Sequence, residues 1–186
     1  MSQAAVHGDA GDEVAALIDA RLRDVPDFPE PGIVFKDIAP LLADGKAFGA
    51  AIGALASFAT GGDAVDIVAG VEARGFIVAG ALARDLACGL VPVRKAGKLP
   101  PPTVRRAYQL EYGSAEIEVP VDVLAGKRVL LVDDVLATGG TLRAAADLIV
   151  EAGGAVVGLG VLLELGFLEG RARLRDVAPL HSLLRL

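Results

Sequence analysis

Continuous runs of apolar residues alternate along this chain with segments in which apolar residues recur every three or four positions. The runs predict buried strands at residues 65–71, 90–93, 128–132 and 155–163. The helical spacing predicts helices at residues 13–24, 46–59, 75–87 and 141–152. Repeated strand–helix–strand units predict an α/β fold, with an open, mainly parallel twisted sheet and helices on both of its faces.

Two stretches lack this regular pattern. Residues 1–11 are small and polar, so we expect a disordered tail followed by a single domain at residues 12–186. Residues 95–114 are basic and rich in proline, which predicts a flexible loop or a short hairpin, and a strand is expected at residues 115–119. Pro92, within the second predicted strand, indicates an edge position or a bulge there.

Composition narrows the classes of function. The chain has 18 Lys and Arg against 24 Asp and Glu, a net charge of −6, and an acidic protein repels nucleic acid and anionic membranes. We therefore expect neither as a partner, and any bound anion must be held by a local site. The single cysteine, Cys88, excludes an internal disulfide, and no secretion signal is visible, so a cytoplasmic location is expected. His7 and His181 are too isolated in the sequence to form a catalytic triad or a metal site.

The most informative segment is an apolar strand that leads into two acids and a glycine-rich turn, Val129-Leu130-Leu131-Val132-Asp133-Asp134-Val135-Leu136-Ala137-Thr138-Gly139-Gly140-Thr141. Glycines let the backbone approach a ligand closely, and a helix start offers unpaired N–H donors, so the turn suits a phosphate monoester. The turn taken alone favours an ordinary βα connection with Thr as the N-cap. However, burying two adjacent carboxylates at the end of a strand costs free energy unless a cation or a hydrogen-bond donor pairs with them.

This segment resembles the motif of the type I phosphoribosyltransferases that binds phosphoribosyl pyrophosphate (PRPP): apolar residues, two acids, two apolar residues, then x-Thr-Gly-Gly-Thr. The resemblance covers the chain from about residue 14 onward and implies the type I fold. It implies that Asp133 and Asp134 bind the ribose. It also implies that the 5′-phosphate is bound by Ala137, Thr138, Gly139, Gly140 and Thr141.

Two further segments carry cations. Glu72-Ala73-Arg74-Gly75-Phe76 places Arg74 beside a helix start, where it could bind an anion or simply pair with Glu72. Arg94-Lys95-Ala96-Gly97-Lys98 would by itself be a solvated loop. Both segments resemble loops of the adenine phosphoribosyltransferase family. The resemblance implies that Arg74, Lys95 and Lys98 bind pyrophosphate, and it makes Arg74 a catalytic candidate.

Only the resemblance to the same family assigns a functional role to the segment Leu110-Glu111-Tyr112-Gly113. Without that context Glu111 would be an exposed loop residue. The resemblance makes Glu111 a catalytic candidate, as a general acid at purine N7 or a general base at N9. Tyr112 is a catalytic candidate too, because it would pack over the reacting ribose.

An N-terminal segment resembles the hood of the same family, at about residues 25–42. The resemblance implies that Val34 and Lys36 read the edge of adenine through backbone groups, while Phe35 stacks on the base. A role for Phe35 in the core or at a hinge is the alternative. The hood is expected as a small addition to the α/β domain.

The base and the cofactor also follow from the resemblance. Ala137 stands where the hypoxanthine-guanine relatives have a carboxylate that assists a 6-oxopurine, so adenine is the expected substrate and AMP the product. Mg²⁺ held through substrate oxygens, without dedicated protein ligands, is the expected cofactor. A homodimer is expected as well. The alternatives are a transferase for xanthine, hypoxanthine or guanine, and a PRPP-sensing regulator, which the acidic charge disfavours.

Overall fold

The computed structural model of this chain describes residues 9–109 and 114–186 and divides into two compact units, Met1–Ala54 and Leu55–Leu186. The first unit contains α1 (Asp9–Asp19), β1 (Arg23–Pro26), β2 (Val34–Asp37), α2 (Ala39–Ala43) and the beginning of α3 (Gly45–Thr60). β1 and β2 pair as an antiparallel hairpin. Ile18, Ile38 and Leu41 are buried apolar residues of this unit.

The first helix differs from the sequence prediction at both ends. It begins at Asp9, so residues 9–11 of the predicted tail are helical, whereas residues 1–8 lie outside the described part of the chain. It ends at Asp19 because the chain enters β1 at Arg23 and pairs there with β2. The apolar spacing correctly predicts a helix, but the partner strand that stops the helix is not visible in a local pattern.

The second unit is built on a seven-stranded sheet in the order β5-β6-β4-β3-β7-β8-β9. Its elements are β3 (Ile67–Val71), α4 (Gly75–Asp85), β4 (Gly89–Lys95), β5 (Thr103–Gln109), β6 (Ser114–Pro120), β7 (Arg128–Leu136), α5 (Gly140–Glu151), β8 (Ala155–Glu164), the 3₁₀-helices Gly166–Leu168 and Gly170–Leu174, and β9 (Leu180–Arg185). β4, β3, β7, β8 and β9 are parallel, and the β5–β6 hairpin is antiparallel. The predicted α/β fold with a mainly parallel sheet is confirmed.

Different helices cover the two faces of this sheet because side chains alternate along each strand. Ala69 and Leu131 are fully buried in the same apolar core as Leu148 of α5. On the other face of β3, a Cβ on Gly70 would lie only 2.5 Å from the Cβ of Ala79. Glycine at this position therefore lets α4 pack directly against the strand, which brings the start of α4 close to the end of β7.

The basic, proline-rich segment forms the hairpin that was one of its two predicted outcomes. β5 and β6 pair along their whole length, but β6 pairs with β4 only at Arg94 and Lys95. Pro92 lies before this contact, where β4 has β3 as its neighbour and is locally an edge, as predicted. No helix within the described residues is long and apolar enough to cross a membrane.

Candidate active site

The phosphate turn, which we define as residues 137–141, joins the end of β7 to the start of α5. Gly139 occupies the N-cap position of α5 with a φ of +80°, a left-handed conformation that favours glycine. The turn and Asp133 line a cavity of about 70 Å³. Because the first N–H groups of a helix have no intrahelical acceptor, the start of α5 can donate to an anion in this cavity.

The two acids lie within β7 rather than after it, because the strand continues to Leu136 instead of ending at residue 132. Asp133 Oδ1 accepts the backbone N–H of Asp134 at 2.9 Å. Burial, and then the neighbouring charge of Asp134, raise the pKa of Asp133 well above its ordinary value. A Cβ on Gly75 would be 2.8 Å from Asp133 Oδ1. Glycine at this position therefore allows the start of α4 to approach Asp133 and Asp134, which we call the acid pair.

Arg74 lies beside the acid pair at the start of α4. Its Nε is 2.7 Å from Asp134 Oδ2, and the Asp134 side chain is only 7% exposed. Among the described residues Asp134 Oδ2 accepts no hydrogen bond, so the contact is an ion pair without hydrogen-bond geometry. The structure thus places a predicted pyrophosphate ligand next to a predicted ribose ligand.

The basic turn, which we define as residues 94–99, begins with the last two residues of β4 and is held by two carboxylates. The first is Glu72, whose Oε2 accepts the backbone N–H of Lys95 at 3.0 Å and lies 3.2 Å from Arg94 Nε. The Lys95 N–H, together with the Arg94 side chain, lowers the pKa of Glu72. The side chains of Lys95 and Lys98 are exposed. Their main chain is therefore fixed while their ammonium groups face solvent.

The second carboxylate is Glu118 of β6, which is fully buried. Its Oε1 accepts the backbone N–H groups of Lys98 and Leu99, each at 2.7 Å, and its Oε2 lies 2.9 Å from Arg105 Nε. Burial alone would raise the pKa of Glu118, but the N–H groups of Leu99, Lys98 and Gly97 and the Arg105 charge outweigh it and lower the pKa to about 2. Glu118 is ionised at neutral pH and anchors the basic turn.

Neither the role of Glu118 nor two contacts of the phosphate turn could be predicted from the sequence. Glu118 stands in a strand that alternates charged and apolar residues, which normally indicates a solvent-exposed face. Thr141 Oγ1 donates to Tyr108 Oη at 3.3 Å and so connects α5 to β5. Gly170 packs so closely that a Cβ there would be 2.1 Å from the carbonyl oxygen of Ala137. These contacts join segments that are distant in the sequence, and no local pattern announces them.

The predicted adenine-binding residues belong to the first unit, and their roles stay predictions. Phe35 packs edge-on against Phe28, with ring centroids 5.2 Å apart. The ammonium group of Lys36 lies 2.7 Å from Asp24 across the β1–β2 hairpin. Val34 is 52% exposed. The side chain of Lys36 is thus engaged within the hairpin, where Lys36 also pairs in register with Asp24.

The catalytic roles of Glu111 and Tyr112 also stay predictions, because residues 110–113 lie outside the described part of the chain. Within the described part, no group of three or more His, Cys, Asp or Glu side chains could hold a metal ion. The acid pair offers oxygen ligands of the kind that Mg²⁺ prefers, yet Mg²⁺ requires six of them. The residues at this site therefore fit Mg²⁺ only together with substrate oxygens and water.

Comparison with known proteins gives one consistent answer. A model of the phosphoribosyl transferase domain matches residues 41–177. An adenine phosphoribosyltransferase of Thermobifida fusca is 59% identical over 166 residues, which are 89% of this chain and 94% of the relative. The crystal structure of the Rhodothermus marinus enzyme is 47% identical with a TM-score of 0.88, covering 94% of this chain and 99% of its own. The Saccharomyces cerevisiae enzyme, complexed with an imino-altritol bisphosphate and adenine, is 36% identical with a TM-score of 0.86, covering 92% and 99%.

Proposed function

The chain belongs to the adenine phosphoribosyltransferase family, and on that premise we propose that it transfers the phosphoribosyl group of PRPP to adenine, giving AMP and pyrophosphate. The observation that carries the proposal is the meeting of the phosphate turn, the acid pair and Arg74 at the carboxyl ends of β3 and β7. These three features match the 5′-phosphate, the ribose and the pyrophosphate of PRPP. The Saccharomyces cerevisiae relative was crystallised with an imino-altritol bisphosphate and adenine, which supports a site that takes a phosphorylated ligand together with adenine.

Each feature of the site has a distinct role in holding PRPP. The N–H groups at the start of α5 and the hydroxyls of Thr138 and Thr141 bind the 5′-phosphate. Asp133 and Asp134 accept hydrogen bonds from the ribose hydroxyls. Two observations support the second role: Asp133 lines the cavity beside the phosphate turn, and Arg74 forms an ion pair with Asp134 next to it.

The reaction is a displacement at the anomeric carbon of the ribose. Adenine N9 forms a bond to that carbon, the bond to pyrophosphate breaks, and the N9 proton leaves the base. Glu111 would accept this proton as a general base, and in the reverse direction it would return a proton to the leaving base as a general acid. Arg74, Lys95 and Lys98 would stabilise the negative charge that develops on pyrophosphate. A bound Mg²⁺ would supply further positive charge for the leaving group.

The choice of adenine rests on the phosphate turn and the hood. Ala137 has no carboxylate that could assist a 6-oxopurine, so the turn supplies nothing for hypoxanthine, guanine or xanthine. In the hood, backbone groups of Val34 and Lys36 would read the adenine edge, and Phe35 would stack on its ring. We also propose, on the family resemblance, that the enzyme is cytoplasmic and forms a homodimer. Light scattering after size-exclusion chromatography would test the oligomeric state.

A panel of bases tests the proposed function. The protein is mixed with PRPP and Mg²⁺ and offered adenine, hypoxanthine, guanine or xanthine separately, and nucleotide formation is followed by chromatography. We expect AMP from adenine and no product above background from the other bases. Turnover of a 6-oxopurine would contradict the role of Ala137. PRPP binding without turnover of any base would indicate a PRPP-sensing regulator instead of an enzyme.

A further inference from the structure

Gly139 of the phosphate turn faces Gly170 of the second 3₁₀-helix, and neither position has room for a side chain. A Cβ on Gly139 would be 2.5 Å from the carbonyl oxygen of Gly170. A Cβ on Gly170 would be 2.1 Å from the carbonyl oxygen of Ala137 and 2.9 Å from the nitrogen of Gly139. Real Cβ atoms essentially never come within 3.0 Å of such atoms. The two stretches of main chain therefore pack directly against each other.

The residue after Gly170 anchors the 3₁₀-helix to the sheet. Arg171 donates from Nε and Nη2 to the carboxylate of Glu164, which is only 2% exposed. It also donates to the carbonyl oxygen of Leu180 at 3.0 Å and to Ser182 Oγ at 2.9 Å, both in β9. Burial alone would raise the pKa of Glu164, but the hydrogen bonds from Arg171 and Ser182 lower it. The anchor is thus a charged, multiply bonded contact.

The same anchor is joined to both sides of the phosphate turn. Glu164, at the end of β8, pairs in register with Leu136, the residue before the turn, and Leu165 donates its N–H to Leu136 O at 2.9 Å. After the turn, Arg143 of α5 donates to the carbonyl oxygen of Arg173 at 3.3 Å. The 3₁₀-helix therefore contacts the centre of the phosphate turn through Gly170. Glu164 and Leu165 hold the end of β7 before the turn, and Arg173 of the 3₁₀-helix accepts a hydrogen bond from α5 after it.

We propose that Gly170 and Arg171 are positioning residues for the phosphate turn. The anchored 3₁₀-helix sets how far the main chain of Ala137–Gly139 can move, and so directs its N–H groups at the 5′-phosphate. Hydrogen bonds to an anion depend strongly on direction, so a displaced turn loses affinity although every phosphate-binding residue is present. This inference rests on the proposed function, because it requires that the turn binds phosphate.

The test compares four variants with the unmodified protein: Gly170→Ala, Arg171→Lys, Thr138→Ala and the control Gly80→Ala. Ribose 5-phosphate affinity is measured by calorimetry, and KM values are measured for PRPP and adenine separately. Gly80 lies in α4, and no atom lies within 4 Å of where a Cβ on it would be, so Gly80→Ala should leave all three quantities unchanged. We expect Gly170→Ala to weaken ribose 5-phosphate binding and raise KM for PRPP about tenfold or more, with KM for adenine nearly constant.

Arg171→Lys keeps the positive charge but loses the planar fork that contacts Glu164, Leu180 and Ser182. We expect it to show the same split between the two KM values with a smaller, severalfold effect. It also keeps the proposal testable if Gly170→Ala does not fold. In either folded variant, the amide resonances of Gly139 and Gly140 should shift in nitrogen–proton spectra relative to the unmodified protein.

The outcomes separate the inference from the proposed function. If ribose 5-phosphate leaves the amide resonances of Gly139 and Gly140 unshifted in the unmodified protein, and Thr138→Ala does not change its affinity, the turn is not the phosphate site, and both ideas fail. If Thr138→Ala weakens binding but folded Gly170→Ala and Arg171→Lys bind like the unmodified protein, only the positioning role is overturned. Equal increases in both KM values would show an effect that is not confined to the phosphate turn, and unshifted glycine resonances would show that the turn had not moved; either result would also overturn it.

Discussion

The phosphate turn and the basic turn both face phosphate groups of PRPP in the proposed function, but they are built in different ways. The phosphate turn contains no cation, and its attraction for an anion comes from main-chain N–H groups at the start of α5. The basic turn presents the ammonium groups of Lys95 and Lys98 to solvent, and two carboxylates, Glu72 and Glu118, hold its main chain. One site depends on close packing and the other on charge.

The glycines of the two turns make the contrast concrete. Gly139 and Gly97 have the same φ, +80°. A Cβ on Gly139 would collide with the main chain at Gly170, whereas no atom lies within 4 Å of where a Cβ on Gly97 would be. A backbone site needs glycine for space as well as for conformation, while a side-chain site needs it for conformation alone. The two turns should therefore respond differently to the same substitutions.

The largest effect is expected at the acid pair, where Arg74 brings side-chain charge next to the phosphate turn. Asp134→Asn removes the carboxylate that pairs with Arg74 and that would bind the ribose. We expect kcat/KM for PRPP to fall about a hundredfold to a thousandfold, as when a preorganised polar contact is lost from an active site. Steady-state kinetics at saturating adenine would measure this loss.

Asp66→Asn is the matched control, because Asp66 forms an ion pair with Arg128 at the opposite end of β7. It removes the same charge from the same sheet but away from the carboxyl ends of the strands. Its kcat/KM should stay within about twofold of the unmodified value, since remote surface charges contribute little. A comparable loss in both variants would mean that net charge, and not the ribose contact, determines the rate.

The next effect separates the two glycines. Gly139→Ala should lower kcat/KM for PRPP about a hundredfold, because the added Cβ displaces the phosphate turn. Gly97→Ala should lower it by less than about tenfold, because only the left-handed conformation, worth about 1–2 kcal/mol, is disfavoured there. Steady-state kinetics of the two variants, measured side by side, would test whether kcat/KM falls further in Gly139→Ala. Equal losses would contradict the distinction between space and conformation.

A smaller effect is expected at the anchor of the basic turn. Glu118→Gln keeps the size of the side chain but removes the charge that accepts the N–H groups of Lys98 and Leu99. Losing a buried charged partner costs about 1–3 kcal/mol, and because only part of that cost falls on PRPP binding, we expect KM for PRPP to rise up to about tenfold with little change in KM for adenine. Ribose 5-phosphate, which has no pyrophosphate, should bind almost as before. Weaker ribose 5-phosphate binding would show that the two turns are not independent.

The smallest effect concerns stability at acid pH. The pKa of Glu118 is about 2 in the folded chain against an ordinary value of 4.5, so the folded state favours the ionised form. Its contribution to stability is full above pH 4.5 and is lost progressively as the pH falls toward 2. Urea midpoints of the unmodified protein and Glu118→Gln should therefore approach each other as the pH falls from 4.5 toward about 2. Midpoints that stay a constant distance apart would contradict this.

Much of the second unit could be predicted because its signals are local. The apolar strand, the acids, the glycines and the helix start of residues 129–141 follow one another directly, and their order implies a phosphate site at the end of a parallel strand. Even the two alternatives for residues 95–114 included the hairpin that forms. The strand β9 and the end of α1 were missed because each depends on a partner strand elsewhere in the chain.

The amino-acid order was therefore sufficient for the fold class and for the glycine-rich turn at the start of α5, since periodicity and turn chemistry act over a few residues, whereas the cations proposed to contact PRPP followed only from the family resemblance. Three-dimensional packing alone decided which carboxylate Arg74 faces, that Glu118 is buried beneath the basic turn, and that Gly170 lies against Gly139. Those contacts depend on the order of strands in the sheet, which brings distant segments together at distances that no local pattern encodes.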